Sequence, residues 1–152
     1  MHRPITCEVI DRRLGMAETS VCTKRVRFAE EPKMSEFNDL VERYIAVWNE
    51  IDPDRRQRLI ADTFSDGASY VDPLMASEGH AAINGMVRAV QERFPGYRFR
   101  RAGAVDGHHD RIRFGWELAA EGGPVVAKGT DFATVAGARM TTVTGFIDQA
   151  PA

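Results

Sequence analysis

Beyond residue 33 the chain has no cysteine: its two, Cys7 and Cys22, both fall in the opening segment of a 152-residue sequence. The main body therefore carries no disulfide framework and no thiolate metal site. Long apolar runs are missing too. None approaches the ~20 residues needed to cross a bilayer, and the opening MHRPITCEVIDRR lacks the apolar core of a secretory leader, so a cytoplasmic protein with no membrane partner is expected. Neither sign of charge is in excess. A net charge of −2 and a pI near 6.1 leave no basic footprint for nucleic acid or an anionic lipid surface, and RFRR at 98–101 is one charged strand face, too small for that role. Gly-rich phosphate loops, HExxH and CxxC are absent, as are internal repeats and low-complexity tracts.

What remains is ordinary globular composition, 43% hydrophobic and 28% charged, in a length that suits one domain with a sizeable core. Residues 1–33 stand apart. They hold seven Lys/Arg against five Asp/Glu with apolar residues scattered singly, and read as a poorly ordered N-terminal extension ahead of a domain over 34–152 that opens at MSEF. The run VCTKRVRF (21–28) alternates only loosely and is assigned to that extension rather than to an edge strand.

From Phe37 the spacing turns helical. Phe37, Leu40, Val41, Tyr44, Val47, Trp48 and Ile51 recur at intervals of three and four and form one apolar face. Asp52-Pro53 reads as an N-cap with Pro at the first helical position, opening a second helix with Leu59, Ile60 and Phe64 inward and a stop at SDG (65–67). A strand ASYV follows, then a third helix from about Gly79 with Ile83, Met86, Val87, Val90 and Phe94 inward. Everything later is β. Ile112, Phe114, Trp116 and Leu118 share one side of a strand; Val125, Ala127, Gly129, Asp131, Ala133 and Val135 share one side of the next; Thr141, Val143, Gly145 and Ile147 share one side of the last. DGHHD (106–110) reads as a polar hairpin turn, not a metal site, because adjacent strand residues face opposite ways. Helices followed by a strand meander imply an α+β fold with an antiparallel sheet covered on one face by helices.

Three polar groups sit where this pattern predicts apolar surroundings: Tyr44 on the inner face of the first helix, Asp72 at the end of the first strand, and Asp131 on the small-residue face of a central strand. Each has a plain structural reading. A core Tyr bonds a backbone carbonyl, Asp before Pro makes a turn, and Asp131 bonds a neighbouring Thr. Each also has a chemical one, since carboxyls in differently wet settings divide the labour of base and acid. Asp131 is expected to be protonated at neutral pH, because its same-face neighbours Gly129 and Ala133 offer neither charge nor hydrogen bonds.

The segments RYIAVWNEID (43–52), ASYVDPLMASEGHAAI (68–83), IRFGWEL (112–118), AKGTDF (127–132) and RMTTVTGFID (139–148) resemble the nuclear-transport-factor-2-like superfamily. They are most similar to its SnoaL-like, polyketide-cyclase-like members and to ketosteroid isomerase. The resemblance implies a cone: a curved antiparallel sheet packed on three N-terminal helices around an apolar pocket. By position it also implies that Asp72 is a general base and that Tyr44 and Asp131 donate to a developing enolate oxygen. The implied pocket walls are Trp48, Phe64, Met75, Ile112, Phe114, Trp116, Leu118, Val143 and Ile147, with His80 donating at the mouth. No cofactor and no metal are implied, and a homodimer is. Two functions fit: a cofactor-independent isomerase, cyclase or dehydratase acting on a small apolar carbonyl compound, or a non-catalytic module that binds a small ligand or dimerises. A pocket filled by Trp48, Phe114 and Trp116 would favour the second.

Overall fold

The computed structural model describes residues 34–152; the expected extension, with its run at 21–28, lies outside them. Along the chain run α1 (Met34–Asn49), α2 (Pro53–Thr63), β1 (Phe64–Val71), β2 (Ala76–Glu78), α3 (His80–Arg93), β3 (Tyr97–His108), β4 (Arg111–Ala120), β5 (Val125–Ala136) and β6 (Arg139–Gln149). The strands form one curved, unclosed sheet in the order β2-β1-β6-β5-β4-β3, with the three helices packed on it. No helix among the described residues is long and apolar enough to cross a membrane.

The sheet is mixed, where an antiparallel one was expected. The β3–β6 meander and the β1–β2 hairpin are antiparallel, but β1 runs parallel to β6. A helix and four strands separate those two in sequence, so no tight turn fixes their relative direction. The SDG segment lies inside β1 instead of stopping α2, and the irregular pairing between Phe64 and Ser69 absorbs it. Strand β2 was not anticipated. By pairing Ala76 with Val71 it turns residues 72–75 into a four-residue hairpin loop, which is what places Asp72.

Helix α1 buries Phe37, Leu40, Val41, Tyr44, Ile45, Val47 and Trp48. Ile51, expected on the same face, is 78% exposed because the helix ends at Asn49. Asp52 caps α2 by accepting from the Arg55 N–H at 2.8 Å, with Pro53 at the first helical position. In β6 the inner face is taken by Met140 rather than Thr141. Val135 pairs with Met140 and Thr134 with Thr142, so Thr141 is the extra residue of a bulge that resets the alternation. The DGHHD segment closes the β3–β4 hairpin as expected, with His109 at φ 52°.

The helices are joined by one buried cation. Arg56, 2% exposed, donates from Nε to Asn84 Oδ1 at 2.5 Å and from Nη1 to the Glu50 carbonyl at 3.0 Å and Gln91 Oε1 at 2.9 Å. Gln91 in turn donates to the Trp48 and Glu50 carbonyls at 3.0 and 2.9 Å. These bonds satisfy the open C-terminal end of α1 and hold α2 and α3 to it. Arg56→Met should strand the Asn84 and Gln91 side-chain oxygens and lower stability by about 3 kcal/mol, measured by urea unfolding. A loss below about 0.5 kcal/mol, the scale of an ordinary surface substitution, would show that the junction does not depend on Arg56.

Candidate active site

Asp72 is fixed from three directions. Its Oδ1 accepts the backbone N–H groups of Leu74 at 2.8 Å and Met75 at 2.9 Å, and its Oδ2 accepts the Tyr70 hydroxyl at 2.8 Å. The turn expected of an Asp-Pro pair is therefore real. It also aims the carboxylate, because Tyr70 and Asp72 are two residues apart and project from the same side of the chain.

Asp131 is held by two other elements. Tyr44, from α1, donates to Oδ2 at 2.6 Å, and Trp116, from β4, donates its indole N–H to Oδ1 at 3.0 Å. Gly129 makes the second bond possible: a Cβ there would overlap the Trp116 indole, which lies across the strand at this point. Gly145, opposite Asp131 in the β5–β6 ladder, leaves the space between the two acids open. The position its Cβ would occupy is 2.9 Å from Asp131 Oδ1, 3.2 Å from Asp72 Cβ and 3.4 Å from the Tyr70 hydroxyl oxygen. Two carboxyls and two tyrosines thus converge, and the sequence pattern had flagged three of these four residues. Tyr70 was missed, though the Tyr-x-Asp spacing was the signal that places its hydroxyl beside Asp72.

These groups open into a cavity of about 600 Å³, a size that suits a small organic ligand. Trp48, Met75, Trp116, Leu118 and Ile147 line it as expected, together with Ile45, Leu74, Val90, Phe94, Phe99 and the C-terminal residues 150–152. Trp48 packs at an angle against Tyr70 and Phe99, and Phe99 edge-on against Trp116, at centroid separations of 5.4–5.6 Å. The walls are aromatic, but the space is not filled.

Four expected wall residues, and His80, lie elsewhere. Phe64 and Phe114 are buried against the Tyr44 ring, with centroids 5.9 and 5.1 Å away. Ile112 and Val143 are buried in the core. Strand alternation identified the correct face of the sheet but not which end of it the first half of α1 fills. His80 points to β1, where its Nε2 lies 2.9 and 3.0 Å from the Phe64 and Ser65 carbonyl oxygens. It donates there and secures the start of α3.

Burial pushes the Asp131 carboxyl up to about 6, against the pull of the Tyr44 and Trp116 hydrogen bonds, with the Asp72 charge adding to the rise. The carboxyl is thus raised toward neutral pH, the direction the sequence predicts, although donors that its own strand does not reveal arrive from α1 and β4. Burial, followed by the charge of Asp131, raises the Tyr44 hydroxyl well above the ordinary tyrosine value. Tyr70 is raised by burial and then by the Asp131 and Asp72 charges. Both phenols keep their protons and act as donors.

Residues 41–143 match the family of SnoaL-like domains. No curated protein matches the chain. Among solved structures, an Agrobacterium tumefaciens C58 protein described as a candidate isomerase of the SnoaL-like family is 40% identical, with a TM-score of 0.72 over 75% of this chain and 98% of its own. A Kribbella flavida protein described as a candidate ketosteroid isomerase is 16% identical, with a TM-score of 0.58 over 78% and 82%. A Catenulispora acidiphila protein with a ketosteroid isomerase-like fold, solved in complex with trimethylamine, is 15% identical, with a TM-score of 0.58 over 70% and 83%.

The Asp131 shift has a thermodynamic signature. Its folded value of about 6 lies above the unfolded value of about 4, so the folded state binds this proton more tightly. The stability it contributes is complete below about pH 4 and is lost as pH rises through about 6, by about 3 kcal/mol at most. The stability of wild type minus that of Asp131→Asn should fall across this window and level off above it, in urea unfolding repeated along a pH series. A flat difference would show that the carboxyl is not raised.

Proposed function

Because the chain belongs to the SnoaL-like family, whose fold is that of isomerases and cyclases, we propose that it is a cofactor-independent enzyme that moves a proton next to the carbonyl of a small apolar ketone, polyketide-like or steroid-like. The observation that carries this reading is the meeting of two differently placed carboxyls across Gly145, inside an aromatic cavity and with one of them raised toward neutral pH. Such a pair suits division into base and acid.

In this reading Asp72 takes the α-proton, and the C–H electron pair becomes the enolate double bond while charge gathers on the carbonyl oxygen. Asp131, in its protonated form, donates to that oxygen. Tyr44 and Trp116 hold its two oxygens in place, and the Tyr44 proton reaches the reacting atoms through Asp131. An apolar ligand that fills the cavity displaces water and raises Asp131 further. Return of the proton from Asp72 to another carbon gives isomerisation, whereas attack by the enolate carbon on a second carbonyl gives cyclisation. A positioned base contributes on the order of 10²–10⁴-fold and an oxyanion donor about 10²–10³-fold.

Exchange of ketone α-protons in D₂O, followed by NMR over a panel of apolar ketones, tests the step common to both outcomes. Asp72→Asn should preserve the fold and abolish exchange, since the amide keeps the turn and loses the proton acceptor. Tyr44→Phe should slow exchange by about 10²-fold. Exchange that persists in Asp72→Asn rejects the base, and ligand retention without exchange in wild type would leave a binding module.

We also propose that the functional unit is a homodimer formed through the outer sheet face. Phe132 and Phe146 project there, 43% and 53% exposed, with ring centroids 5.8 Å apart; Thr130, Thr134, Thr142 and Thr144 lie on the same face. Phe146→Lys should yield a folded monomer by sedimentation equilibrium. A monomeric wild type would reject the dimer.

A further inference from the structure

Among the described residues one cation lines the cavity, and neither the base nor the acid chemistry uses it. Arg93 lies in the last turn of α3, lines the cavity and is exposed, so it sits at the opening. The two carboxyls that line the same cavity, Asp72 and Asp131, are held by other partners: Asp131 by Tyr44 and Trp116, Asp72 by Tyr70 and the Leu74 and Met75 N–H groups. A cation near a helix C-terminus is favourable in itself. That explains its place on α3, not its lack of an anionic partner. Arg88, earlier on the same helix, pairs with Glu92 at 3.4 Å. Among the described residues no carboxylate pairs with Arg93, and its guanidinium carbon lies 5.8 Å from the centre of the Phe94 ring, itself part of the cavity wall.

The cavity is thus polarised. The end where Asp131 and Asp72 meet repels an anion, the walls are aromatic, and the exposed Arg93 presents a planar guanidinium suited to gripping a carboxylate with two parallel hydrogen bonds. We propose that the ligand is an amphipathic keto acid: its carboxylate is held by Arg93 at the opening, its apolar body lies against Phe94, Phe99 and Trp48, and its ketone is delivered to Asp72 and Asp131. This rests on the proton-transfer reading above and adds to it the substrate class and the direction in which the substrate enters. Arg93 is a specificity-determining residue here, since it touches the ligand far from the reacting carbon.

The test uses ω-phenyl-ω-oxo fatty acids of increasing chain length, each beside its methyl ester, titrated calorimetrically at low salt and at a pH where the acids are ionised. For at least one length the acid should bind wild type roughly tenfold more tightly than the ester, which is about 1.4 kcal/mol. Arg93→Gln should bring the acid to the affinity of the ester and leave the ester unchanged. Arg88→Gln, which makes the same change in net charge from the outer side of the helix, should leave the preference intact. The keto-acid assignment is overturned if wild type binds every acid no better than its ester, if the preference survives Arg93→Gln, or if Arg88→Gln removes it equally. Those results leave the proton-transfer reading standing, provided the esters bind. Binding of neither acids nor esters overturns both.

Discussion

The hydrogen bond from Tyr44 to Asp131, 2.6 Å long and closed to solvent, is the constraint from which the rest of the site follows. It ties the middle of α1 to the middle of β5. Neither group survives burial cheaply by itself: a lone carboxylate would be driven to protonate, and a lone phenol would lose a partner at about 1–3 kcal/mol. Together they fix the distance between helix and sheet, and with it the height of the cavity. Trp116 completes the arrangement from the next strand, so Asp131 is gripped by two elements besides its own.

Small residues supply the space that this grip requires. At Gly129 the strand is bare so that an indole can lie over it, and at Gly145 it is bare so that two acids can face one another. Either glycine could be read as a weak spot in a strand. In this sheet a methyl group at either would push against the polar cluster, and at Gly129 also against the Phe146 carbonyl of β6, which is how a rigid meander accommodates a polar cluster without opening its core.

Much of this was legible in the sequence. Helical spacing placed Tyr44 inside, strand alternation put Asp131 on the small-residue face with Gly129 and Gly145 nearby, and the Asp-Pro pair marked Asp72 at a strand end. What periodicity cannot supply is position along the face. Phe64, Ile112, Phe114 and Val143 carry the same alternation signal as Leu118 and Ile147, yet the first half of α1 covers one end of the sheet and leaves the other hollow. Partners across elements were equally hidden. The donors to Asp131 come from 87 and 15 residues away, so its environment looked barren from its own strand. Tyr70 and Arg93 escaped notice because each matters only through what it faces.

The chain contains two tryptophans, and both stand in the wall of the cavity. One of them gives its indole proton to Asp131; the other packs against the tyrosine that bonds Asp72. The protein therefore has no background emitter. Its entire tryptophan fluorescence originates in the wall of the cavity, one indole bonded to Asp131 and the other packed on the tyrosine that bonds Asp72, and both the occupancy of the cavity and the ionisation of Asp131 are written into the colour and intensity of that light.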